Sequence, residues 1–170
     1  MKRALTITKR GDRDLVMTRE FDAPRKLVYD AHTKPDLVRQ WLLGPPGWTM
    51  PVCDMDVRVG GTYRWVWRKE TGGSEMGMGG VYREIAKPER LVSTEKFDDP
   101  WYEGEALDTL VLIEQGGKTT ATLTMLCATP EARNAVLKSG MDGGVAQSYD
   151  VLDKVLASIE GEDNRDGYNN

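Results

Sequence analysis

With 170 residues, 39% of them apolar and 29% charged, the chain is long enough for one domain that encloses a core and a cavity. A formal net charge of −4 and an isoelectric point near 5.1 argue against nucleic acid or an anionic membrane surface as a partner. No apolar run reaches the length of a membrane span, Met1-Lys2-Arg3-Ala4 does not open a signal peptide, and Cys53 and Cys127 alone make no disulfide framework. These features predict a cytoplasmic protein, monomer or homodimer, with a single domain over 1–159 and a disordered polar tail over 160–170.

Leu5 to Thr8 and Asp14 to Phe21 read as strand, separated by the turn-like Lys9-Arg10-Gly11-Asp12; in the second piece Leu15, Met17, Arg19 and Phe21 alternate with Val16, Thr18 and Glu20. Asp22-Ala23-Pro24 opens a short helix with Leu27, Val28 and Ala31 on one side. Thr33 and Asp36 have the spacing of a capping box for a second, whose apolar face is Leu37, Val38 and Trp41. No basic recognition helix follows, so this helix pair does not suit DNA. Gly44-Pro45-Pro46-Gly47 is a stiff loop ending at Trp48.

From there the pattern is strand for about 80 residues. Val52 to Val57 sets Cys53, Met55 and Val57 against Asp54 and Asp56. Thr62 to Lys69 has the sharpest alternation, with Tyr63, Trp65 and Trp67 on the face predicted to turn inward and Arg64 and Arg68 on the other. Met76, Met78, Gly80 and Tyr82 take alternate positions of the next strand, Leu91 to Phe97 forms another, and Asp98 to Ala106 is acidic and irregular. Asp108 to Glu114 and Lys118 to Cys127 close the series through Gly116-Gly117, giving six or seven strands in an antiparallel meander.

The last stretch, Thr129 to Ile159, has a helical stripe of Leu137, Met141, Val145, Tyr149, Leu152, Leu156 and Ile159. Thr129 is suited to the N-cap, Pro130 to the first helical position, and Gly161 to a stop. Gly140, Gly143 and Gly144 interrupt the stripe, each costing roughly 1 kcal/mol relative to alanine inside a helix. Two readings stay open: a break between a helix near Pro130 to Ser139 and a longer one, or small side chains where the helix borders a cavity.

Several blocks now resemble one family. Phe21-Asp22-Ala23-Pro24, Ala31-His32-Thr33-Lys34-Pro35 and Trp41-Leu42-Leu43-Gly44-Pro45 are similar to the opening signature of proteins named after the activator of the Hsp90 ATPase, the AHSA1-like group of the START/Bet v 1-like, polyketide-cyclase (SRPBCC) superfamily. Asp56 to Gly61, Glu84 to Val92, and Gly140 to Gly144 with Tyr149 and Leu152 resemble further blocks; Val145 stands where the family often has tryptophan. The resemblance implies an α+β helix-grip fold: a curved antiparallel sheet around the long C-terminal helix, two short helices after the first strand, and a cavity between sheet and helix.

The residues predicted to line that cavity are Trp41, Trp48, Tyr63, Trp65, Trp67, Met76, Met78, Tyr82, Met125, Met141, Gly144, Val145 and Tyr149. Such stripes also fill ordinary cores; pliable methionine and broad aromatic walls equally suit an apolar ligand. Catalytic chemistry is sparse. His32, the one histidine, reads as exposed or as a capping partner rather than a catalyst, and no metal-ligand spacing, P-loop, Rossmann fingerprint or nucleophile elbow is present, so no metal or cofactor is predicted. Asp54 and Asp56 read as a solvated face. Glu84 either points into the cavity as an acid or base or pairs with Arg58, Arg64 or Arg90 at the sheet end. Three roles follow: binding of a small hydrophobic, aromatic or polycyclic molecule; cofactor-independent cyclase or hydrolase chemistry on a polyketide-like substrate; and, by family name, co-chaperone action on an Hsp90-type ATPase. The last is the least supported, since this length leaves no room for the extra N-terminal domain of those co-chaperones.

Overall fold

The computed structural model describes residues 4–166, with side chains through 162. In chain order the elements are β1 (Thr6–Arg10), β2 (Asp14–Phe21), α1 (Arg25–Thr33), α2 (Pro35–Trp41), β3 (Trp48–Met55), β4 (Thr62–Lys69), β5 (Glu75–Ala86), β6 (Arg90–Phe97), β7 (Ala106–Gln115), β8 (Lys118–Leu126), α3 (Pro130–Lys138) and α4 (Met141–Asp166). The strands form one curved antiparallel sheet in the order β1-β2-β8-β7-β6-β5-β4-β3. The fold is the expected helix grip, with eight strands rather than six or seven and with the short helices after the second strand. The extra strand arises because Gly11, at φ +58°, reverses the chain tightly enough for Arg10 to pair with Asp14 and Thr6 with Thr18.

Two irregularities bend the sheet. The β3–β4 register shifts between Thr49 and Val52, next to the exposed Pro51, and the β5–β6 register shifts between Tyr82 and Glu84. The second has a direct effect on side-chain direction. One inserted residue reverses the alternation, so that Tyr82 is buried inside while Arg83 and Glu84 both face solvent. Upstream of the bulge, β4 follows its alternation: Tyr63 and Trp67 are buried, Trp65 is half-buried, and Arg64 and Arg68 lie outside, paired with Asp98 at 2.7 Å and Glu75 at 2.6 Å.

The helices depart from expectation at their ends. Thr33 is not a cap; its hydroxyl donates back to the Tyr29 carbonyl at 2.9 Å, and Lys34 caps α2 ahead of Pro35. Thr129 does cap α3, accepting from the Ala132 N–H at 3.0 Å. Gly140, at φ +77°, then breaks the chain between α3 and α4, so the stripe read as one belongs to two helices. Helix α4 runs through Gly161 to Asp166; with good helix formers on both sides, one glycine costs too little to end it. The first seven residues of the expected tail are therefore helical, and 167–170 lie outside the described residues.

Two apolar cores result. One gathers α1, α2, the Tyr63–Tyr82 side of the sheet and Tyr149, Leu152 and Leu156 of α4. The other joins Leu15, Met17, Tyr102, Met125 and Cys127 to Ala132 and Val136 of α3. Phe97, Leu123 and Val145 pack against both. Full burial of side chains such as Leu152 and Leu156 contributes about 1.5–3 kcal/mol each. The cysteines lie one in each core, both free.

Gly80 marks the tightest approach on the inner face of β5. A Cβ there would collide with the Thr94 carbonyl oxygen and lie 2.8 Å from the Tyr63 ring. Gly80→Ala is therefore expected to lose about 1–3 kcal/mol in chemical denaturation. Gly143→Ala meets nothing within 4 Å and should gain up to about 1 kcal/mol. Equal effects at the two glycines would contradict the packing described.

Candidate functional site

Between sheet and helices lies a cavity of about 550 Å³, and the structure brings all thirteen residues predicted to line it to its walls. Tyr63, Trp65 and Trp67 of β4 and Met76, Met78 and Tyr82 of β5 form the sheet wall, extended by Met125 of β8; Met76 sits at its open margin, 40% exposed. Met141, Gly144, Val145 and Tyr149 of α4, with Trp41 of α2, form the opposite wall, and Trp48 stands where β3 begins. Gly144 faces the Gly44-Pro45 loop, with room for a Cβ at 3.6 Å from Pro45. That loop is tied to α4 by the Gly44 N–H, which donates to Ser148 Oγ at 2.8 Å.

The aromatic walls are held by polar anchors. Trp41 Nε1 donates to the Ala31 carbonyl at 2.8 Å, Trp67 Nε1 to that of Leu42 at 2.7 Å, and the Tyr63 hydroxyl to that of Thr94 at 2.5 Å. Tyr63 packs on Trp65 at 4.5 Å between centroids, and Trp65 meets Trp67 edge-on at 6.1 Å. Trp65 Nε1 is buried and has no partner among the described residues.

Sequence reasoning missed the polar end of the cavity. Ser93 and Glu95 on β6 line it with Asp108 on β7, which faces Ser93 across the ladder; Phe97 and Trp101 continue this wall. The signal was present: Leu91, Ser93, Glu95 and Phe97 share one face by alternation, with a glutamate among apolar residues. Glu95 is 8% exposed. Burial pushes its carboxyl up to about 7, against the opposing pull of Asp108 and Tyr102 beside it. Asp108 is pushed well above the usual carboxylate range by burial and then by the Glu95 charge. Its Oδ1 is buried without a hydrogen-bond partner among the described residues, and the Tyr102 hydroxyl lies against Glu95 from outside the cavity wall. Burial raises the ordinary ionisation of that phenol as well, and of Tyr63 and Tyr82.

His32 also lies at this cavity, half-buried, not exposed. The reason is its partners: Nδ1 sits 2.7 Å from the Val28 carbonyl, one turn back on α1, and the ring stands edge-on to Trp41 at 4.9 Å. That bond assigns the proton to Nδ1 and leaves Nε2 a buried acceptor without a partner. Burial lowers the ring to about 4, so it is neutral at neutral pH. Glu84 is outside the cavity, turned away by the bulge and paired with Arg90 at 3.0 Å. Asp54 and Asp56 are exposed, with Asp56 bonded to Arg58. Among the described residues no group of His, Cys, Asp and Glu could hold a metal ion, and no helix is long and apolar enough to cross a membrane.

A curved sheet gripping a helix, with a hollow apolar interior and one polar corner, defines a helix-grip protein of the Bet v 1-like kind. The chain belongs to the AHSA1-like family of the SRPBCC superfamily: residues 22–157 match the family described as activator of Hsp90 ATPase homolog 1-like protein. A Rhodobacter sphaeroides protein of known crystal structure is 33% identical over 91% of this chain and 99% of its own, with a TM-score of 0.86. A Staphylococcus epidermidis protein is 26% identical over 91% and 94%, at 0.77, and a Chromobacterium violaceum protein 25% identical over 86% and 98%, at 0.76. No curated protein matches the chain.

The raised carboxyl gives a pH signature. A carboxyl raised in the folded state binds more protons there than unfolded, so stability falls as pH rises from about 4.5 to about 7. His32, lowered to about 4, acts with the opposite sign between about 4 and 6.5, in wild type and variant alike. Glu95→Gln should therefore gain stability relative to wild type on going from pH 5 to pH 8, by on the order of 1–3 kcal/mol. Urea melts across that range read the difference, and a gap that stays flat would contradict the buried titration.

Proposed function

We propose that the chain binds a small, largely apolar molecule, aromatic or polycyclic, in the cavity between the sheet and α4. The observation that carries this reading is the composition of the walls. All five tryptophans and five of the eight methionines border one space, and core packing alone would not leave it hollow. A volume of about 550 Å³ lies within the range of small-molecule sites. Broad rings supply area with little entropy to lose, and methionines adapt to ligand shape. Membership of a superfamily built on the same grip is consistent with this role.

The uncharged dye Nile red should bind with affinity in the micromolar range, about −8 kcal/mol, and quench tryptophan emission. Gly144→Leu, which projects a branched side chain toward Pro45 and the cavity, should weaken that binding by more than its loss of stability explains. A melting temperature that drops while affinity per folded molecule holds would remove Gly144 from the site. A monodisperse protein that takes up no dye would remove the binding role itself.

One observation favours a second reading, catalysis of cyclase or hydrolase type without a cofactor: the Glu95 and Asp108 carboxyls adjoin at the cavity wall, where burial raises both above the usual carboxylate range. Turnover of polyketide-like or ester substrates that is lost in Glu95→Gln would support it, and its absence would leave the binding role alone.

A further inference from the structure

We propose that the polar corner of the cavity is a binding site for an organic ammonium group, making the ligand an aromatic or polycyclic amine. The proposal rests on the reading of the cavity as a ligand site and goes beyond it by naming the ligand's polar group.

Glu95 and Asp108 adjoin each other at the wall, Glu95 is 8% exposed, and among the described residues no lysine or arginine lines the cavity. A buried carboxylate without a countercharge is costly, and a cation carried in by the ligand offsets that cost. A positive charge there also favours the ionised form of Glu95, which burial alone opposes. An anionic ligand would be repelled.

An unpartnered atom gives a second, independent line. Asp108, on the cavity wall, has its Oδ1 buried without a hydrogen-bond partner among the described residues. An ammonium group supplies up to three donors to the two carboxyls, where an alcohol supplies one. Among the described residues the one basic side chain at the cavity, His32, is held neutral and does not compete for the carboxylates. The surrounding rings complete the match. Trp65, Phe97 and Trp101 flank the same space, where ring faces attract a cation and stack on an aromatic body.

The test uses three probes that share one apolar body: 2-naphthylmethylamine, 2-naphthylmethanol and 2-methylnaphthalene, each displacing Nile red from the full chain at pH 7.5. The amine is expected to displace the dye at a concentration about tenfold or more below the other two, as a charge-assisted hydrogen bond predicts. In Glu95→Gln/Asp108→Asn that advantage should vanish while 2-methylnaphthalene displaces as before. An alcohol or hydrocarbon that competes as well as the amine overturns the proposal, as does an amine preference that survives in the double variant. If the double variant does not melt cooperatively, Glu95→Gln alone and the wild-type ratio decide. Hydrocarbon binding without amine preference sinks the ammonium site only; failure of the dye and all three probes to bind sinks the ligand-site reading with it.

Discussion

The architecture depends on how α4 is fixed across the sheet, and the central contact is an ion pair. Arg19, on the inner face of β2 and 2% exposed, reaches Asp150 at 3.1 Å and Asp153, both on α4. A guanidinium so deeply buried is tolerated only when paired, and loss of a partner typically costs 3–5 kcal/mol. Around this pair the contacts are aromatic. Phe21 lies under the Arg19 guanidinium at 5.6 Å and meets Tyr149 edge-on at 5.3 Å, and Tyr149 stacks near Trp41 at 5.8 Å. The middle of the helix is thus held against β2 and α2. Its first turns, free of that grip, stand off from β4 and β5, and the cavity occupies the difference.

Seen this way, the interior is two cores on either side of a gap. α3 and the ends of β2 and β8 make the smaller, α1, α2 and the middle of α4 the larger, and Phe97, Leu123 and Val145 bridge them. The carboxyls of Glu95 and Asp108 occur where neither core closes over the β6–β7 ladder. A fully packed interior would force both to be neutral or removed. Next to a hollow, they can be held for a partner that arrives from outside the chain.

Much of this was legible in the sequence, because period-2 alternation maps directly onto a two-faced sheet. Tyr63, Trp65 and Trp67 could be placed from spacing alone, and the cap at Thr129 from its hydroxyl and the proline after it. The gaps have physical causes. Of the two readings of Glu84, pairing with Arg90 is the one found; spacing alone could not decide it, since alternation cannot show a bulge before the partner strand is known. Glu95 is a lone acid in a strand whose pattern is carried by apolar residues, and the irregular segment after Phe97 hides that Asp108 lies against it. His32 lies near a helix end in the sequence, whereas its surroundings come from Trp41, nine residues further along. Gly161 failed as a stop because a weak local signal gave way to the helix around it.

The sheet does not close into a barrel, so β1 and β3 each leave a free edge. Both edges carry devices that discourage a neighbouring strand from pairing. On β1 these are the exposed Lys9 and Arg10; on β3 they are Pro51, which has no N–H to offer, and the register shift beside it. Sheet-to-sheet growth between copies would have to strip water from those charges and leave a gap at the proline. Crowded together at high concentration, molecules of this protein are discouraged from joining edge to edge, so the sheet can stay open at both ends while its middle is given over to the hollow.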